Sequence, residues 1–217
     1  TIKVPTAGGK TFIACNALAT IFDAMPMGKT KAVAWFVPSD TILKQTYQNL
    51  KNPLHPYRQK IDTLFNGRVE VYDKQALLYG QNFNPIVVEE QLSIFVLSIQ
   101  SFASTAKDKR LVYSENEHLT EFTKTYNHHE KRIEGADETS LIQVIAHLNP
   151  VMIIDESHNF EGNLRVDTLT NINPSFVLNL TATPREKSNI ISFVSPARLK
   201  NENMVKLPVM VSNYPKH

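Results

Sequence analysis

The chain has 217 residues, of which 42% are hydrophobic, and a formal net charge of +2. That composition supplies a sizeable core and excludes a disordered polyelectrolyte. The charge is too small to mark a nucleic-acid binder by bulk electrostatics, so any such contact must come from a local surface or a partner domain. The single cysteine, Cys15, excludes an internal disulfide and suits a reducing cytoplasm. No apolar run approaches the roughly 18 residues needed to span a bilayer, so no membrane role is expected. The chain starts at Thr1 rather than at a Met, and reads as a domain of a longer protein.

In chain order, Thr1–Val4 reads as the tail of a strand. Thr11–Ala24 carries Ile13, Ala17, Leu18, Ile21 and Phe22 at helical spacing. Met25–Thr30, with Pro26 and Gly28, reads as a loop. Lys31–Val37 reads as a buried strand that stops at Pro38 and Ser39, with Asp40 placed to cap a helix through Leu50. Pro53–Phe65 reads as helical and Arg68–Tyr72 as a strand. Ile94–Ile99, Val151–Ile154 and Phe176–Leu180 are further apolar, strand-like runs. Between them, Ala103–Glu138 is polar and poor in large aliphatics, and is expected to be a surface excursion, part helical and part mobile. Thr139–Leu148 reads as a helix with Leu141, Val144, Ile145 and Leu148 on one face and Thr139 or Ser140 as its cap. Strands separated by helices predict an α/β fold whose mostly parallel sheet is covered on both faces. Ligands of such sheets bind beyond the carboxyl ends of the strands.

Three constellations fall at such ends. The first is Val4-Pro5-Thr6-Ala7-Gly8-Gly9-Lys10-Thr11. Glycines let backbone N–H groups close on a polyphosphate, and the following helix presents its positive end. Lys10 would neutralise the β- and γ-phosphates of ATP and Thr11 would hold Mg²⁺ through its hydroxyl. Lys10 is expected to face solvent while the loop is empty. The same residues also suit a glycine turn without a ligand. The second constellation is Val151-Met152-Ile153-Ile154-Asp155-Glu156-Ser157-His158. Here an apolar strand delivers two carboxylates, Asp155 for the Mg²⁺ shell and Glu156 to polarise the attacking water. A solvated turn is the plain alternative, but the two patterns need each other. The third is Leu180-Thr181-Ala182-Thr183-Pro184, whose hydroxyls suit sensing of a γ-phosphate, or simply a Ser/Thr turn stopped by proline.

In this order the three motifs resemble those of the first motor domain of a superfamily-two helicase of the DEAD/DEAH type. The resemblance covers nearly the whole chain and implies a single RecA-like P-loop domain over residues 1–217. It also implies that Thr181, Ala182, Thr183 and His158 couple hydrolysis to movement on nucleic acid. Two departures stand out: Val4 occupies a position where the general loop has Gly, and Ala7 one where many helicases have Gly. By position in the family, Pro38 and Ser39 match one strand-end motif and Ser98-Ile99-Gln100-Ser101 another. The resemblance implies phosphate-backbone contacts from Pro38, Ser39, Ser98 and Gln100, through hydroxyls and N–H groups rather than charge.

Asp155–Pro184 and Ala197–Pro208 further resemble the restriction (Res) subunits of type III restriction–modification enzymes. That likeness implies a bacterial, cytoplasmic protein acting on double-stranded DNA. It also implies a methyltransferase/specificity subunit as partner and a nuclease domain elsewhere in the polypeptide. Such motors close the ATP site with a second RecA-like domain, and the residues after Thr183 are too few for one, so the chain is expected to hold a half site. A DNA-repair or RNA helicase, a small-molecule kinase and a non-hydrolysing scaffold are the competing readings.

The remaining polar and aromatic features read as structural. Cys15 and Trp35 are expected in the core, and Glu89-Glu90 on a solvated face. His118, His128 and His129 lie in a polar stretch without cysteine and read as solvated rather than metal-binding. Arg185 reads equally as a phosphate contact or as solvent-exposed.

Overall fold

Residues Ala32–Val37 are all buried, on both sides of their strand. A strand with no solvent side needs a sheet covered on both faces. The computed structural model, which describes residues 1–5, 8–26, 30–98, 108–126, 132–156, 167, 170–184 and 189–202, has that arrangement. Its strands are β1 (Ile2–Lys3), β2 (Ala32–Val37), β3 (Val69–Tyr72), β4 (Leu92–Ser98), β5 (Val151–Asp155), β6 (Phe176–Thr181) and β7 (Ser192–Phe193). They form one seven-stranded sheet in the order β3-β4-β2-β5-β6-β1-β7, with every neighbouring pair parallel.

Alternation along β2 sorts its residues between two cores. Val33, Trp35 and Val37 pack with Ile94, Val96, Val151 and Ile153 beneath the helices α1 (Lys10–Asp23), α2 (Asp40–Lys51) and α3 (Pro56–Leu64). Those helices contribute Ala14, Cys15, Leu18, Leu50 and Ile61. Ala32, Ala34 and Phe36 pack with Phe95, Leu97, Met152 and Ile154 on the other face. That face is covered by α4 (Lys74–Leu78), α5 (Pro85–Glu90), α6 (Asp108–Tyr113), α7 (Thr120–Thr125) and α8 (Leu141–His147). Each fully buried Val, Leu, Ile or Phe contributes about 1.5–3 kcal/mol. The two clusters together therefore supply the driving force, and α/β class and parallel order follow as expected. Trp35 and Cys15 are fully buried, as anticipated, and burial pushes the Cys15 thiol up to about 12.

Four features differ from the sequence reading. The cap of α2 is Ser39, whose Oγ accepts from the Ile42 N–H at 3.4 Å, while Asp40 is the first helical residue. Asp40 still favours the helix there through its charge near the positive end. Ser140 takes the cap position of α8, but its hydroxyl donates to the Asp137 carbonyl (2.5 Å) and leaves the helix N–H groups alone. The helices α4 and α5 carry too few turns to show a period, and are started by Asp73 (2.8 Å to the Ala76 N–H) and Asn84 (3.0 Å to the Val87 N–H).

The fourth difference concerns Ala103–Glu138. Where this stretch is described it is anchored rather than peripheral. α6, a 3₁₀ turn at Glu117–Leu119 and α7 send Val112, Leu119 and Phe122 into the core, joined by Ile133. The polar residues between them hide this pattern, because one buried apolar residue per short helix gives no periodic signal. The Phe122 ring lies 4.7 Å from that of Phe83. Replacing Phe122 by Ala should therefore lower stability by about 3–5 kcal/mol, as in other buried Phe-to-Ala changes. Urea unfolding followed by circular dichroism measures this. A loss under 0.5 kcal/mol would return the stretch to the surface.

Candidate functional site

Strand order places three of the sequence motifs side by side. β1 lies against β6, and β6 against β5, with Lys3 opposite Thr181 and Leu180 opposite Asp155. The carboxyl ends of these three strands therefore form one edge. Beyond β1, the Val4 N–H donates to the Thr181 carbonyl at 3.0 Å, which extends the pairing by one residue. Val4 is fully buried in the core beneath α1. Its place in the strand explains the departure from Gly: its side chain belongs to the core.

After Pro5 the chain turns tightly, and the Gly8 N–H donates to the Pro5 carbonyl at 3.0 Å. A Cβ on Gly8 would overlap Val4 Cγ1 and sit 2.9 Å from Leu199 Cδ1 and 3.0 Å from the Pro5 oxygen. Only glycine fits there. Gly9 caps α1 with φ of +74°, a left-handed conformation that glycine adopts without strain. No acidic residue lies in the first turn of α1, so the helix itself carries nothing that offsets its positive end. Thr11, half-buried, follows Lys10 on that turn. Thr6 and Ala7 lie outside the described residues, as do His158, Gln100, His128, His129 and Arg185.

Lys10 does not face solvent as expected. It is 8% exposed, and its Nζ forms an ion pair with Glu156 Oε1. This contact joins the first and second constellations directly. Glu156 has φ of +50°, where a non-glycine residue is held only by its surroundings. Its N–H donates to Asp155 Oδ1 at 3.0 Å. Asp155 is 9% exposed at the end of β5. Burial holds its carboxyl above the ordinary range and the neighbouring Glu156 charge adds to this, while Lys10 and the Glu156 N–H offset part of it.

The oxygen donors of Thr11 and Asp155 are of the chemical type that a divalent cation would take. A hydroxyl on the first helical turn and a buried carboxylate in need of positive charge are the kind of sparse protein ligation that Mg²⁺ takes. Among the described residues no group of three or more His, Cys, Asp or Glu gathers to hold a metal by itself. Thr11 and Asp155 are the residues that would hold the ion.

The third motif is split in its exposure. Thr181 is 1% exposed and its Oγ1 accepts from the Thr183 N–H at 3.1 Å, bracing the turn. Ala182 is half-buried and Thr183 is exposed, so only Thr183 offers a hydroxyl outward. Of the residues expected to touch nucleic acid, Pro38 and Ser39 are half-buried at the carboxyl end of β2. Ser98 is 1% exposed at the end of β4. The side chain expected to reach a nucleic-acid strand is thus buried. A strand-end serine looks the same in the sequence whether it points out or in. His118 is exposed beside Tyr79, with ring centroids 6.2 Å apart, and Glu89 and Glu90 are exposed, as anticipated.

Residues 1–186 match the family described as type III restriction enzyme, res subunit. The chain belongs to that family. The matched region is a motor domain of the superfamily-two helicase type. No curated protein matches the Res-family chain. Among solved structures it is similar to the UvsW helicase from bacteriophage T4, with a TM-score of 0.43 and 12% identity over 87% of this chain and 48% of that one. The chain thus spans about half the length of that helicase. Among its described residues no helix is long and apolar enough to cross a membrane.

The raised Asp155 carboxyl makes a prediction for the ligand-free domain. A carboxyl with a raised folded pKa costs nothing below its ordinary 3.8, and the cost grows as pH rises from there through the folded value. Asp155→Asn should therefore be more stable than the native chain at pH 7 and equal to it near pH 3. Urea midpoints across that range measure the difference, and parallel curves would show that Asp155 ionises without penalty.

Proposed function

We propose that this Res-family chain binds Mg·ATP between the loop Pro5–Thr11 and the acid pair Asp155–Glu156, and that it drives translocation along double-stranded DNA. The observation that carries the reading is the ion pair between Lys10 and Glu156, because it joins an anion-binding helix start to the acids that hydrolysis requires. On this reading Gly8, Gly9 and the first N–H groups of α1 cradle the phosphates. Lys10 neutralises them, Thr11 and Asp155 hold Mg²⁺, and Glu156 orients water. The bound ion supplies charge neutralisation and Lewis-acid polarisation of the phosphoryl oxygens.

The Lys10–Glu156 contact has a further role in this scheme. One ammonium has two claimants, a single carboxylate or a polyphosphate that also accepts several N–H bonds. The polyphosphate offers more negative charge in the same low-dielectric site and displaces the carboxylate. Glu156 then becomes available to water at the moment phosphate arrives. On this reading Thr183, exposed next to the acid pair's strand, reports phosphate to a neighbouring domain.

The larger assembly is read from the family. A second RecA-like domain would complete the ATP site, and Pro38 and Ser39 at the start of α2 would contact the DNA backbone. A nuclease domain would cleave, and a methyltransferase/specificity subunit would choose the sequence, in a bacterial cytoplasm. DNA-stimulated turnover in the full polypeptide supports this reading, and RNA-stimulated turnover would move it to RNA work.

Calorimetric titration with Mg·ATP tests the core of the proposal. Lys10→Ala should lose binding by at least tenfold with its far-UV spectrum unchanged, and unchanged affinity would remove the loop from the site. In the complete enzyme, Glu156→Gln should keep ATP binding while turnover falls by about 10² or more, the size expected for loss of a general base.

A further inference from the structure

The phosphate contacts say nothing of where the nucleoside lies. On the nucleotide reading above, a polyphosphate held between Glu156 and the start of α1 would direct its sugar end towards the residues that follow Thr11. Two flanks adjoin that point. One is closed by Leu199, on the helix Pro196–Asn201, which lies against Gly8. The other is open and aromatic.

Phe12 follows Thr11 directly and is 41% exposed, on a helix whose other large apolar residues are buried or half-buried. Its ring centroid lies 6.2 Å from that of Tyr57 at the first turn of α3, with the planes inclined by 36°. Tyr57 in turn meets His55 edge-on, at 4.4 Å and 71°. Tyr57 and His55 are tied together at the start of α3. His55 caps α3, and its Nδ1 accepts from the Tyr57 N–H at 3.2 Å. An accepting Nδ1 leaves the proton of the neutral ring on Nε2. An exposed phenylalanine at this position contributes little to the core. A preorganised aromatic surface loses little entropy when a planar ring settles on it.

We propose that Phe12 and Tyr57, with His55 behind them, form the platform on which the base of the bound purine nucleotide lies. The inference rests on the nucleotide reading above. It assigns the phosphates to the loop and the base to the α1–α3 flank, so the two parts fail separately.

The test titrates the full chain with Mg·ATP and, in parallel, with Mg·tripolyphosphate, which has the charge but no base. Stacking on an aromatic side chain is lost to alanine at a cost corresponding to roughly tenfold in affinity. Phe12→Ala and Tyr57→Ala should each weaken ATP binding about tenfold and leave tripolyphosphate unchanged, and Phe12→Tyr should restore ATP. Both alanine variants alter exposed or half-buried rings, and circular dichroism confirms that they fold. Native ATP affinity in Phe12→Ala, with Lys10→Ala still losing both ligands, overturns the platform and keeps the loop. Equal loss of both ligands in Phe12→Ala also overturns it, since the ring would then support the loop. Failure of the native chain to bind either ligand overturns the nucleotide reading and the platform with it.

Discussion

A parallel sheet buried on both faces has nowhere to put polar chemistry except its two ends. In this chain that constraint organises everything else. Val33, Trp35 and Val37 face one core, and Ala32, Ala34 and Phe36 face the other. Hydroxyls, carboxylates and ammonium groups that need water or a ligand are displaced to the strand termini. All strands run the same way, so their carboxyl termini share one edge, and β1, β6 and β5 bring residues as remote in sequence as Lys3 and Thr181 within one or two strand spacings. Neighbouring strands lie about 4.8 Å apart, so adjacency in the sheet is adjacency on the scale of a phosphate group.

The electrostatics follow from the same crowding. Asp155 ends a strand whose preceding residues are fully buried, and its charge is held at a cost. Glu156 beside it adds negative charge, and its positive φ turns its side chain towards Lys10 rather than along the strand. Breaking such an enclosed pair by removing one member leaves a charge without compensation, which generally costs more than the pair contributes. A site built this way is stable while empty only if its members satisfy one another. On the nucleotide reading proposed above, a ligand would replace one of the partners and a cation would offset the charge of the other.

The long apolar runs made the sheet legible in the sequence. Lys31–Val37, Ile94–Ile99 and Val151–Ile154 are runs that only a doubly covered strand explains, and the motifs at their ends needed no further information. Other features were legible only in part. The helices α4 and α5 are too short for a period, and only Asp73 and Asn84-Pro85 announce them as cap signals. Phe122 and Leu119 are core residues set among charges, and local pattern reads such residues as surface. The burial of Lys10 and Ser98 and the left-handed backbone of Glu156 depend on partners remote in sequence, which no local window contains. The sequence names the groups of the site, and tertiary packing decides which of them face outward.

Gly8 shows how far that decision reaches. Its lack of a side chain is usually explained by the phosphate that must approach, yet here the space is also claimed by Val4 and by Leu199 from the far end of the chain. The loop is therefore shaped from inside, by a core residue where other loops carry glycine, and from one flank, by a helix that follows the third motif. A loop packed on that flank has its free surface on the opposite one, where α1 meets α3. Val4 makes the loop part of the hydrophobic core, and Leu199 ties it to the segment just beyond the third motif. Any shift of that segment would then be felt at Gly8 as a change in packing.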